Sequence, residues 1–171
     1  MKLFGIAMLG LIALLGLLGL YYQFQQPTLV GIGLFLAIAI TPVCLISKLI
    51  IEENGRKAFI RWLTANAAQI DSGKLRYDGY PINAQTVLRT YYFTVSAAIV
   101  SMKVPTRFFI DQCHSTGLHS AANTLISFIF GWWGFPWGIV YTIQSIAKNL
   151  KGGDSTTVGD LLKMVGGEPA A

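Results

Sequence analysis

Leu3 to Tyr22 reads LFGIAMLGLIALLGLLGLYY, and Thr28 to Ile46 reads TLVGIGLFLAIAITPVCLI; neither stretch carries a charged side chain. A helix rises 1.5 Å per residue, so about 20 residues cross the ~30 Å hydrocarbon core of a bilayer, and both stretches meet or approach that length. Five residues, Gln23 to Pro27, separate them. A cleaved secretory leader has an apolar run of only ~7 to 15 residues and a small-x-small exit. The first stretch is longer and leaves through Tyr21-Tyr22-Gln23-Phe24. The expectation is an uncleaved transmembrane helical hairpin over residues 1–51, with Tyr21, Tyr22 and Phe24 as an aromatic belt at the far interface.

Orientation follows from the cations. Lys2 precedes the first stretch, none lies in the turn, and Lys48, Arg56, Lys57 and Arg61 follow the second. Loops rich in Lys and Arg stay on the cytoplasmic side, so both ends of the hairpin are expected to face the cytoplasm of a bacterial inner membrane. Small residues recur every third position in the first stretch, Gly10 and Gly16 among them, and every fourth in the second, at Gly33, Ala37 and Thr41. Rows of these two inclinations pack at a ~20° crossing, and small residues let the backbones approach. Gly10, Gly16, Gly33 and Ala37 are therefore the expected packing residues. Pro42 removes a backbone donor inside the second stretch and predicts a local kink.

From Glu52 to about Thr116 the composition turns ordinary, and a cytoplasmic α+β module over residues 52–116 is expected. Asn54-Gly55 predicts a helix break, after which Phe59, Ile60, Leu63, Ala67 and Ile70 recur at helical spacing. Tyr77-Asp78-Gly79-Tyr80-Pro81 supplies turn chemistry. The Val, Thr, Tyr and Phe content of 86–110 predicts strands over Val87–Ser96 and Ala98–Val104, ended by Pro105, with Lys74–Tyr77 as a third. A unit of this size has a marginal core and should lean on the membrane helices.

Residues 117–151 form a third hydrophobic region, interrupted by GWWGFPWG at Gly131–Gly138. Each flank offers only ~13 residues, or ~20 Å, too short to cross. A re-entrant helix pair and a single broken span both fit; Lys148 and Lys151 favour the re-entrant form, with a cytoplasmic C-terminus. In the tail, 152–171, Thr157 precedes Asp160 and the apolar Leu161, Leu162 and Val165, the pattern of a capped amphipathic helix.

Few residues suggest chemistry. Cys44 and Cys113 imply no disulfide framework. Asp111-Gln112-Cys113-His114 with His119 has ligand-type residues but lacks the second pair of a structural zinc site, so no metal or other cofactor is expected. No nucleophile elbow or phosphate loop is visible, and no enzyme activity is expected. The apolar stretches hold no ionisable group such as ion pumps place at the membrane midplane. Only 12% of residues are charged, against about 25% in soluble domains. Residues 48–107 nevertheless hold nine Lys and Arg against four acids. Beside two spans, anionic lipid explains that surplus better than nucleic acid. Arg56, Lys57 and Arg61, with the interfacial indoles Trp132, Trp133 and Trp137, are the expected lipid- or partner-binding residues.

The segment GWWGFPWGIVYTIQSIAKNLKGG, Gly131 to Gly153, resembles a run in uncharacterised small bacterial membrane proteins, with Cys113 and His114 upstream matching that pattern. The resemblance implies a membrane family and carries no activity. The expected class is thus membrane α+β: an N-terminal hairpin, a small cytoplasmic helix-plus-antiparallel-strand module, and a C-terminal broken or re-entrant helix pair. The expected role is a non-enzymatic accessory subunit or scaffold that binds a protein partner, a second copy or anionic lipid. The alternative is a lipid- or solute-handling protein with a cavity between Pro42 and the Gly134–Gly138 break. In a background lacking Cys44 and Cys113, a cysteine at Gln25 should react with an impermeant thiol reagent outside intact cells, while cysteines at Ser72 and Ala170 should not. Labelling at Ser72 would reverse the orientation.

Overall fold

The computed structural model describes residues 2–24, 28–72, 74–97, 100–111 and 116–166. Helices α1 (Lys2–Gln23) and α2 (Leu29–Ala65) are both long and apolar enough to cross a membrane. They lie antiparallel: a Cβ on Gly16 would stand 2.6 Å from the backbone nitrogen of Ala39, and one on Gly19 would overlap the ring of Phe35. Gly10 and Gly33 face open space, and Ala37 opens onto a cavity. Rows inclined to their axes meet over a short crossing, and here Gly16 and Gly19 occupy it. The connecting Gln25–Pro27 lies outside the described residues.

Helix α2 continues through Pro42 and through Asn54-Gly55, where the sequence predicts a break. A helical glycine costs ~1 kcal/mol. Phe59 and Leu63, one and two turns further on, are buried in the module's core, and burying such a side chain contributes about 1.5–3 kcal/mol each, which outweighs the glycine. Arg107 lies over Gly55, and buried Glu52 accepts a hydrogen bond from the Arg107 backbone at 2.9 Å while pairing with Lys48 at 3.2 Å. The expected module helix is therefore the outer half of α2. It ends at Asn66, whose side chain donates to the Trp62 carbonyl at 2.8 Å, and a 3-10 turn follows at Ala67–Ser72.

Strands β1 (Arg76–Tyr77) and β2 (Tyr80–Pro81) form their own hairpin, with Asp78 and Gly79 both at positive φ, 53° and 84°, as a tight two-residue turn requires. The strand expected over Val87–Ser96 is two strands in different sheets, β3 (Val87–Thr90) and β4 (Tyr92–Ala97). The burial pattern marks the division: Leu88 and Thr90 are buried on either side of half-buried Arg89, then adjacent Tyr91 is buried, and from Phe93 to Ser96 both faces of the chain are buried. One slip in a period of two sends the chain to a new face. Thr106 holds the corner, its backbone N–H donating to the Tyr91 carbonyl at 2.9 Å and its hydroxyl accepting from the Tyr91 N–H at 3.0 Å.

Among the described residues β4 pairs only with β5 (Val100–Pro105), while β3 takes β6 (Phe109–Ile110) on one side. Helices α3 (Thr116–Phe130) and α4 (Trp137–Leu150) follow, then β7 (Asp154–Thr157) and α5 (Val158–Gly166). The C-terminal segment is part of the module: β7 adds to the free side of β3, and Val158 and Leu161 of α5 join Phe59, Leu63, Leu88 and Ile110 in one core. Thr157 caps α5, accepting from the Asp160 N–H at 3.1 Å. A second core sets Phe93, Val95, Met102 and Val104 against Leu9, Leu45 and Leu49, so β4–β5 leans on the two apolar helices. Helices α3 and α4 turn back on each other, with Ser120 donating to the Asn149 carbonyl at 2.6 Å near their shared end. The start of α3 and the end of α4 thus lie together, and the region is not a single continuous rod.

Gly16→Leu is expected to lower stability by about 1–3 kcal/mol through overpacking against Ala39, and Gly10→Leu to leave it unchanged, read as thermal unfolding in detergent.

Candidate functional site

Antiparallel β4 directs alternate backbone groups to β5 and the rest to an edge that has no strand among the described residues. The Tyr92 N–H and carbonyl and the Thr94 N–H on that edge find side chains of α3 and α4. The Tyr92 N–H donates to Asn149 Oδ1 at 2.9 Å and the Tyr92 carbonyl accepts from Asn149 Nδ2 at 2.7 Å, so one amide does what a paired strand would do. The Thr94 N–H donates to Ser127 Oγ at 3.0 Å, and Ser127 in turn donates to the Asn123 carbonyl. Thr94 Oγ1 donates to the Tyr141 carbonyl at 3.1 Å and lies 2.8 Å from Ser145 Oγ. Asn123, Ser127, Thr142, Ser145 and Asn149 are all at most 2% exposed. Among the described residues, Asn123 Oδ1 and Thr142 Oγ1 in this seam have no hydrogen-bond partner.

The glycines of the Trp-rich turn exist for this approach. A Cβ on Gly131 would overlap Thr142 Oγ1, and those on Gly134 and Gly138 would collide with Ser96 and Ser101, themselves hydrogen-bonded at 3.0 Å. The indoles point the other way: Trp132, Trp133 and Trp137 are exposed, Trp137 stacking on Tyr141 and Trp133 donating to the Ile129 carbonyl at 2.9 Å.

Beside the seam lies a cavity of about 520 Å³ between the helix pair and the end of α3, lined by Ile12, Ala37, Thr41, Pro42, Phe130 and Trp133 among others. Thr41 and Ser96 are the hydroxyl-bearing residues in an otherwise apolar wall. Pro42 and Trp133 of the Trp-rich turn thus line one apolar cavity, while Gly134–Gly138 are not among its lining residues.

The expected binding residues do not converge. Arg56 lies over the Phe108 ring at 5.0 Å, Lys57 pairs with Glu53 at 2.8 Å, and Arg61 is exposed, all on the outer half of α2. Trp133 stands beside Pro42, which precedes Arg56 by fourteen residues and hence lies about 20 Å down the helix. Cys113 and His114 lie outside the described residues. Asp111 is committed to Arg89, which grips both carboxylate oxygens, at 2.5 and 3.1 Å, and reaches the Gly152 carbonyl at 2.9 Å. His119 stacks on Phe109 at 4.2 Å. Among the described residues no group of three metal-ligating side chains occurs.

Charge gathers where α4 leaves the seam. Tyr92 donates to Asp154 at 2.8 Å, and Asp154 pairs with Lys148. Lys148 and Lys103 lie 4.7 and 4.9 Å from the Tyr92 ring centre. Burial, then the hydrogen bond to Asp154, pushes the Tyr92 hydroxyl from 10.0 up to about 12. Burial opposes ionisation of Asp154, but hydrogen bonds from Lys148 and Tyr92 prevail and hold its carboxyl below the usual range.

Comparison with protein-family models, curated proteins and solved structures gave no match, so the geometry alone carries the functional reading.

Asn149→Ala strands the Tyr92 N–H and carbonyl and is expected to cost about 2–4 kcal/mol, whereas Leu150→Ala, at an exposed position, should cost little; chemical denaturation in detergent reads both. Because the folded value of Tyr92 is raised, its contribution is complete below pH 10.0 and is lost as pH rises through about 12. Wild-type stability is expected to fall over that window more steeply than that of Tyr92→Phe.

Proposed function

We propose that the chain is a non-enzymatic lipid-binding protein of the bacterial inner membrane, with α1 and the inner half of α2 as spans, α3–α4 as a re-entrant pair entering from the cytoplasmic side with the β4–β5 hairpin packed between, and the rest of the module in the cytoplasm. The observation that carries this reading is the cavity of about 520 Å³, whose apolar walls suit an acyl chain and not a polar solute. A volume of this order is that of ordinary ligand sites.

The distribution of exposed apolar side chains supports it. Large exposed hydrophobics crowd α1, the inner half of α2 and the outer faces of α3 and α4, for example Leu17, Val43, Leu125, Phe128 and Ile143. Between Glu52 and Asp111, Val87 is the one such side chain among the described residues. A scaffold that docked a protein through its module would want an apolar patch there. A re-entrant pair also satisfies the rule that irregular backbone at membrane depth be buried in protein, since Gly134 and Gly138 of the turn pack on β4–β5 and Gly131 on Ser127 and Thr142.

Ala37→Trp, which fills the cavity, tests the reading by mass spectrometry of lipid retained on detergent-purified protein. Wild type is expected to retain lipid, Ala37→Trp to lose most of it, and Leu14→Trp on the exposed face of α1 to match wild type. Equal retention in all three would refute the cavity as a lipid site.

A further inference from the structure

Three lysines from three elements converge on two adjacent residues of β4. Lys48 of α2 lies 5.2 Å from the Phe93 ring centre, on one face of the hairpin, and Lys103 of β5 and Lys148 of α4 lie over Tyr92 on the other. They mark a single level of the molecule. Lys48 is neutralised by Glu52 and Lys148 by Asp154. Among the described residues Lys103 has no carboxylate within ion-pair distance; its ammonium donates to the neutral amide oxygen of Gln144 at 3.3 Å. That contact leaves the Gln144 NH2 group for a further acceptor. The face over Tyr92 therefore holds two ammonium groups, one carboxylate and an amide donor.

The surface beneath this group is graded. Trp137, Tyr141, Gln144 and Lys148 are spaced four, three and four residues apart, which sets them on one stripe of α4. Trp137 is exposed and stacks on Tyr141, so the stripe passes from stacked aromatic rings to an amide and then to a cation. Ile139, Val140 and Ile143 flank its aromatic half and are also exposed. A phospholipid has the same order, from acyl chain through glycerol to phosphate.

We propose that Lys103, Gln144 and Lys148 form a phosphate site for the headgroup of an anionic phospholipid, whose glycerol and first acyl carbons lie over Tyr141 and Trp137. The site rests on the membrane reading above but not on the cavity, with which it shares no lining residue. Its surplus of one positive charge selects a monoanionic headgroup over a zwitterionic one. Burial, then the nearby charge of Lys148, disfavour the charged form of Lys103 and outweigh the opposing attraction of Asp154, and a bound phosphate would add to that attraction.

The test uses the full-length protein extracted from mixed vesicles of phosphatidylcholine and phosphatidylglycerol, with the headgroup ratio of protein-bound lipid read by mass spectrometry. Wild type is expected to enrich phosphatidylglycerol, Lys103→Gln to lose roughly fivefold of that enrichment, and Lys103→Arg to keep it. Lys74→Gln and Lys163→Gln remove exposed cations elsewhere and should match wild type. Unchanged enrichment in Lys103→Gln, or the same loss in Lys74→Gln and Lys163→Gln, would overturn the site in favour of none or of general charge attraction. Inorganic phosphate that binds lipid-free protein by calorimetry, and fails to bind Lys103→Gln, would assign the site to a soluble phosphate and overturn the lipid. The cavity experiment reads total lipid retained and this one reads headgroup ratio, so either can fail alone.

Discussion

The free edge of β4 sets a demand that the rest of the chain answers. Tyr92 and Thr94 present backbone donors and an acceptor to a buried face with no neighbouring strand. Each such group left unpaired would cost about 1–3 kcal/mol, and a fold of this size has few such costs to spare. Asn149 and Ser127 meet the demand from two helices, and to do so both helices must lie within a hydrogen bond of the strand. Only glycine at 131, 134 and 138 allows that proximity. The Trp-rich turn, the polar stripes of α3 and α4, and the position of β4–β5 are consequences of one requirement.

The same requirement explains how a small sheet can sit beside apolar helices. Phe93 and Val95 on one face of β4 complete a core with Leu9, Leu45 and Leu49, while Thr94 and Ser96 on the other face meet the hydroxyls and amides of the seam. The hairpin thus separates an apolar layer from a polar one. Helix α2 ties both layers to the module, since its inner half contributes Leu45 and Leu49 to one core and its outer half Phe59 and Leu63 to the other. Glu52, buried between the two, binds the backbone that leads from β5 to β6. A flexible joint at Asn54-Gly55 would have uncoupled these cores.

Polar groups in this protein are therefore of two kinds. Those of the seam are neutral and structural, and all but Asn123 Oδ1 and Thr142 Oγ1 are bonded within it. Those around Tyr92 are charged, partly exposed and unbalanced by one cation, which is the condition in which a surface can still gain by taking an anion. The cavity by Pro42 is a third environment, apolar but for Thr41 and for Ser96, which it shares with the seam.

Much of the architecture was legible from the order of residues. The two apolar stretches, the turn at Asp78-Gly79, the strand ended by Pro105, the Thr157 cap and the break at Gly131–Gly138 are local patterns, and local sterics, propensity and hydropathy suffice to read them. The continuation of α2 past Gly55, the division of 87–96 between two sheets, and the recruitment of 154–157 as a strand depended on distant partners: Phe59 on Leu88 and Val158, Tyr91 on Thr106, β7 on β3. The seam lay in plain view as Ser120, Asn123 and Ser127 and again as Thr142, Ser145 and Asn149, each set at spacings of three and four residues, yet mean hydropathy averages such stripes away. Lys103 and Lys148 stand 45 positions apart, and no period connects them. Sequence by itself determined which segments shun water and where the chain can turn, because those follow from each residue's own chemistry. Tertiary structure decided which polar groups meet, because a hydrogen bond or an ion pair depends on distances of a few ångströms that only the packed chain defines.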